Sequence, residues 1–281
     1  MKPGPMQALS PEHPPLSVRQ RVRLRWESLG VWLELMRNLA VRDVETRYKH
    51  SLLGLYWTII NPLVYAGIFS FVFAVIFRAS SGKIPYVVFL LTGLTFWNFF
   101  GNGIGSATGS ITGSASLLSK VYFPRVVLPT AAVLARLIDL AFALLVLLVF
   151  ILIYHVPVHW TAVLTLPLLA VEMLFALGIG YMTAAMNVLY RDFSQLVGLL
   201  LMAWMYLTPV MYPATGHATL LSAVLLGNPM GGIIEAMRDL LYYGTLHYPL
   251  FLWSALLWSG FVFLAGLTVF KRIEPLFAEV M

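Results

Sequence analysis

The chain has 281 residues, of which 60% are hydrophobic and only 11% charged, with a mean hydropathy of +0.84. A soluble domain carries roughly 25% charged residues, so this composition excludes an ordinary soluble protein and points to an all-α polytopic membrane protein. The absence of cysteine excludes a disulfide framework and any thiolate nucleophile or metal site. The net charge of +6 is spread as membrane topology requires, which argues against a nucleic-acid partner.

In chain order, Pro3, Pro5, Pro11, Pro14 and Pro15 predict a flexible, extended tail over 1–27. No short apolar core follows a basic start there, so no cleavable signal peptide is expected. Over 28–54, Leu29, Trp32, Leu33, Met36, Leu39 and Ala40 recur at three- and four-residue spacing, with Glu34, Arg37 and Asn38 elsewhere. This predicts an amphipathic helix in the membrane interface, followed by a basic collar. The remainder, 55–281, reads as one transmembrane domain. A membrane helix needs about 20 apolar residues to cross ~30 Å of hydrocarbon. That rule predicts six spans, at roughly 55–77, 86–106, 127–154, 164–188, 196–212 and 250–270.

Lys and Arg cluster before the first span, between spans two and three (Lys120, Arg125), between four and five (Arg191), and after six (Lys271, Arg272). The opposite loops hold Arg78, Lys83 and Arg238. The positive-inside rule therefore predicts that both termini are cytoplasmic. The outer segment between spans five and six predicts two short re-entrant or interfacial helices, near 219–226 and 229–242, the second with Pro229 in its first turn.

Enzyme signatures are missing. Residues 113–120 read GSASLLSK and lack the second glycine of a phosphate-binding loop. No H-E-x-x-H pair occurs, and the histidines sit in tails and loops without carboxylates at metal-ligand spacing. Charges within spans are costly, and three qualify: Arg136 and Asp139, spaced to neutralise each other as a structural pair, and a lone Glu172. Gly101, Gly105, Gly109 and Gly113 form a small-residue face suited to helix packing. Tyr65, Phe69 and Phe73 form a stripe on span one, and Trp204 and Tyr206 crowd span five. These aromatics suit either a lipid-facing belt or a channel wall on which sugar rings stack.

Four stretches carry a resemblance to a known family: RDVETRYKHSLLGLYWTIINPL at 42–63, LLSKVYFPRVVLP at 117–129, LYRDFSQL at 189–196, and NPMGGIIEAMRDLLYYG at 228–244, completed by a terminal FAEVM. In order and spacing the chain resembles the permease subunits of type-2 ABC exporters that move polysaccharides and polyol phosphates, such as O-antigen, capsule and teichoic acid. The resemblance implies a homodimer in the bacterial inner membrane with its pathway between protomers. It also implies paired copies of a separate ATPase that hold the ATP and Mg, no cofactor on this chain, and a lipid-linked glycan as substrate. An exporter of drugs or small hydrophobic molecules would have the same topology and stays open as the alternative. The resemblance places ATPase coupling at Arg42 and Arg47 of the collar, at Lys120, Tyr122, Phe123 and Arg125, and at Arg191 and Asp192. It also implies that Pro62 bends the first span, with Asn61 among the groups replacing the lost backbone bond.

Overall fold

The computed structural model describes residues 18–48, 56–72, 84–118, 123–214 and 226–277. Their regular structure is helical, with no strand among the described residues. The chain divides after Leu35 into two units. Of the first, the structure describes the opening turns of α1 (Val18–Tyr48). These begin inside the stretch expected to be an extended tail. The last tail proline is Pro15, and Arg19, Gln20, Arg21, Arg23, Leu24 and Arg25 after it have good helix propensity.

The second unit holds the end of α1, then α2 (Trp57–Ser70), α3 (Tyr86–Ser110), the short α4 (Ala115–Leu118), α5 (Val127–Ile153), α6 (Thr165–Leu189), α7 (Phe193–Leu207), α8 (Pro229–Arg238) and α9 (Pro249–Ile273). From Met36 to Tyr48, burial follows the helical period: Met36, Leu39, Ala40, Asp43, Val44, Arg47 and Tyr48 are half-buried, and Arg37, Asn38, Val41, Arg42, Glu45 and Thr46 are exposed. Helix α3 packs along both α5 and α6, and α6 packs along α9. Accordingly, 78% of the most apolar stretch of α3 is buried, against 28% for α5, whose remaining surface suits lipid.

Among the described residues, four helical segments are long and apolar enough to cross a membrane: Tyr86–Ser110, Val127–Ile153, Trp160–Leu189 and Pro249–Leu276. These match the expected spans two, three, four and six. The expected spans one and five are shorter helices. Helix α7 has 15 residues, roughly 22 Å at 1.5 Å per residue, where the hydrophobic run predicts a helix to residue 212. It stops because Thr208 precedes Pro209 and takes an extended conformation (φ −96°, ψ 139°). The chain then continues without helix through buried Thr208, Val210 and Met211. Helix α2 continues on both sides of Pro62. The side chain of Asn61, expected to compensate there, makes no hydrogen bond to the described residues.

Among the described residues of one chain, the closest helix crossing uses other glycines than the ones the sequence spacing marks. A Cβ on Gly105, Gly109 or Gly113 would meet nothing within 4 Å. A Cβ on Gly178 of α6 would instead lie 2.7 Å from the backbone of Phe263, and Gly266 of α9 abuts the Gly178 carbonyl. These two helices touch backbone to backbone, which only small residues permit.

Helix α8 forms where a short helix is expected after Pro229. Asn228 caps it, its side chain accepting from the Gly231 N–H, and a π-helical turn over Asp239–Tyr243 ends at Gly244 with φ 73°. Glycine takes that left-handed conformation without steric cost. The segment expected near 219–226 falls almost wholly outside the described residues.

Candidate functional site

The last turn of α1 is tied to the middle of α5 through one carboxylate. Arg47 Nη1 donates to Asp139 Oδ2 at 2.8 Å, the Tyr48 hydroxyl donates to Asp139 Oδ1 at 2.6 Å, and Arg136 Nη1 donates to Asp139 Oδ2 at 3.1 Å. Arg47 also pairs with Asp43 one turn earlier, and Arg136 Nε reaches Ser106 Oγ of α3 at 2.7 Å. The Arg136–Asp139 pair expected from spacing is present, and it is the centre of a larger cluster. Two guanidiniums face two carboxylates, so the cluster is charge-balanced. Burial, followed by the Asp139 carboxylate, pushes the Tyr48 phenol up to about 12, which keeps it a donor.

The residues expected to couple to an ATPase divide by what they touch. Arg42, Arg191 and Asp192 are exposed. Arg47 is committed to Asp43 and Asp139. Phe123 is buried, and Arg125 bends toward the end of the chain. Its Nη1 donates to the Glu274 carbonyl at 2.9 Å, its N–H donates to Glu274 Oε1 at 3.3 Å, and its guanidinium lies 5.6 Å from the Phe277 ring centre. The residues just before α5 and the residues just after α9 are thus joined. Lys120 and Tyr122 lie outside the described residues.

Of the expected channel aromatics, Tyr65 and Phe69 stack at 6.2 Å, with Tyr65 exposed. Phe73 lies outside the described residues. Tyr206 is exposed. Trp204 turns inward: its Nε1 donates to Asn228 Oδ1 at 3.0 Å, and its ring meets Phe100 and Phe175 edge-on at 5.5 and 5.8 Å. It pegs α7 to α3, α6 and the start of α8.

A profile of ABC-2 type transporters matches residues 34–242. The chain belongs to the ABC-2 type transporter family. The chain is also similar to two O-antigen export system permease proteins RfbA of Klebsiella pneumoniae, 31% and 29% identical over 90% of this chain and 97% of each relative. A relative of the same name from Myxococcus xanthus is 30% identical over 87% of this chain and 94% of its own length. Family membership makes this chain a membrane-embedded transport component rather than a catalytic one, and it implies an ABC ATPase partner.

Sequence reasoning gave Arg238 no role beyond an outer-loop charge, yet it is among the most engaged side chains of this ABC-2 subunit. It is 1% exposed. Its Nη1 donates to the Pro209 carbonyl and to Glu235 Oε1, both at 2.6 Å; Nη2 donates to the Val210 carbonyl at 2.7 Å and the Phe89 carbonyl at 3.2 Å. The guanidinium lies 3.6 Å from the Phe89 ring centre. The carbonyls left open where α7 ends are therefore capped from α8. Gly93 makes the space, since a Cβ there would lie 2.5 Å from Nη2. The legible signal is Glu235 and Arg238 at i,i+3 in a run where Asp239 is the one other charge. Glu172 of α6 is fully buried, and neither of its carboxyl oxygens has a partner among the described residues.

Proposed function

We propose that the chain is the channel-forming subunit of an ABC exporter that moves a lipid-linked polysaccharide of O-antigen, capsular or teichoic-acid type from the cytoplasm across the inner membrane. ATP hydrolysis on a separate ATPase drives it, and the pathway runs between two copies of this chain. In this reading α2 and α7 complete six crossings, and both termini are cytoplasmic, as the Lys/Arg asymmetry supports. At the α7 crossing the non-helical stretch after Leu207 is tolerated because it is buried in protein and its carbonyls are capped by Arg238.

The observation that carries the reading is the near end-to-end similarity to permeases named for O-antigen export, over 87–90% of this chain. The exposed Arg42, Arg191 and Asp192 are the groups best placed to meet the ATPase, with the Arg125–Glu274 piece transmitting its movement into α5 and α9. The test is deletion of the gene in its host. Surface glycan should be lost while lipid-linked glycan accumulates inside, and a plasmid copy should restore export. Surface glycan unchanged in the deletion strain would refute the assignment, and loss of resistance to hydrophobic drugs instead would favour a small-molecule exporter.

A further inference from the structure

The charge-balanced cluster at Asp139 forms one wall of a cavity of about 380 Å³ between the end of α1, α2, α3 and α5. Three carboxamides line it: Asn61 from α2, and Asn98 and Asn102 one turn apart on α3. None of the three side chains makes a hydrogen bond to the described residues; Asn98 is half-buried, and Asn61 and Asn102 are exposed. Asn98 sits midway along a helix long and apolar enough to cross the membrane. At that depth hydrocarbon offers no partner, so open polar groups face protein or a water-filled cavity. Three unpaired amides converging on one space therefore mark it as a place for a polar solute.

The chemistry of the lining narrows the solute. Both guanidiniums are already engaged by carboxylates, Arg47 with Asp43 and Asp139, and Arg136 with Asp139. An anion entering the cavity would confront Asp139 without a free cation to receive it. The groups left open are neutral carboxamides, each offering an acceptor and two donors. That is the complement of hydroxyls, which both donate and accept. Trp57, 44% exposed at the rim, adds an aromatic face. The volume is at the small end of ligand sites, suited to a single ring. A small hydrophobic molecule would leave all three amides unpaired, which such sites reject strongly.

We propose that this cavity is a subsite for one neutral sugar residue of the transported glycan, held by Asn61, Asn98 and Asn102 against Trp57. The proposal rests on the export reading above and specifies where in the protomer the glycan is handled. It gives α3 the role of presenting the sugar-binding amides on the same face as its bare Gly105 and Gly109.

The chain contains no cysteine, so single cysteines report on the cavity without background. Asn98→Cys and Asn102→Cys should react with a small, charged methanethiosulfonate in native membranes of the host. Leu257→Cys, on the exposed apolar face of α9, should not react, because a thiol in lipid stays protonated. Labelling at Asn98→Cys and Asn102→Cys should be lost in cells that are exporting glycan and return when the first sugar-phosphate transfer to the lipid carrier is blocked. In parallel, Asn98→Leu with Asn102→Leu should lower export about tenfold or more, the loss expected for a hydrogen bond given up in binding, with protein level held. Should the leucine variant fail to accumulate, the labelling arm decides. No labelling, labelling indifferent to glycan, or normal export by a well-accumulated leucine variant overturns the sugar site while gene deletion still abolishes surface glycan. Surface glycan persisting in the deletion strain overturns the export reading, and the sugar assignment with it.

Discussion

Replacing Arg238 by Met keeps most of the side-chain volume and removes every donor. In the folded protein the guanidinium serves three backbone carbonyls and the Glu235 carboxylate from a position 1% exposed to solvent. Breaking a buried ion pair by removing one partner costs about 3–5 kcal/mol, because the other charge is left uncompensated. The carbonyls of Pro209 and Val210, which no helix ladder serves, add about 1 kcal/mol each as unpaired acceptors. The expected loss is therefore about 5–7 kcal/mol. At roughly 2–4 °C per kcal/mol for a chain of this size, the unfolding midpoint in detergent, followed by tryptophan fluorescence, should fall by about 10–25 °C. Glu235→Gln with Arg238→Met should recover part of that loss, since no lone buried carboxylate remains. Arg238→Lys should fall between, because an ammonium lacks the planar fork that reaches several carbonyls together. A midpoint for Arg238→Met within about 2 °C of the parent, or a double variant no more stable than the single one, would refute this account of how α8 holds the end of α7.

Asp139→Asn should leave Arg47 and Arg136 facing each other and destabilise by about 3 kcal/mol, with faster hydrogen exchange over 36–48 as the end of α1 loosens. Gly178→Ala should push α6 from α9, because its Cβ would sit 2.7 Å from the Phe263 backbone; the cost of such overpacking, about 1–3 kcal/mol, is readable as a lower unfolding midpoint. Arg191→Glu should weaken co-purification with the ATPase without altering stability, since exposed rim charges act on association. Arg125→Glu should in addition expose the segment around Glu274 to protease. Tyr65→Leu and Phe69→Leu should reduce glycan export at unchanged protein level if these rings line the pathway, and normal export in both would return them to a lipid-facing or packing role.

The sequence by itself determined the features that depend on neighbours within a turn or two. The helical class follows from unbroken apolar runs, and the Arg136–Asp139 pair from an i,i+3 spacing on one helix. The start of α8 follows from Asn228 and Pro229 at its cap. Even the early end of α7 was written locally, in the Thr208–Pro209 step, but the apolar run around it masked the signal. Tertiary structure alone decided which distant groups meet. Arg47 joins an aspartate 92 residues away, while Arg125 and Arg238 each reach partners 149 residues away. Gly178 and Gly266 became the tight crossing although Gly101, Gly105, Gly109 and Gly113 had the more regular spacing. The three open amides were unremarkable in sequence, because Asn61 lies 37 residues before Asn98 and only the packing of α2 on α3 brings them to one cavity. The physical reason is that hydropathy states how much surface must leave water, and in a bilayer lipid tails and neighbouring helices meet that demand equally well. Which helix faces which is settled by shape and by polar groups that lipid cannot satisfy, and these act across the fold rather than along the chain.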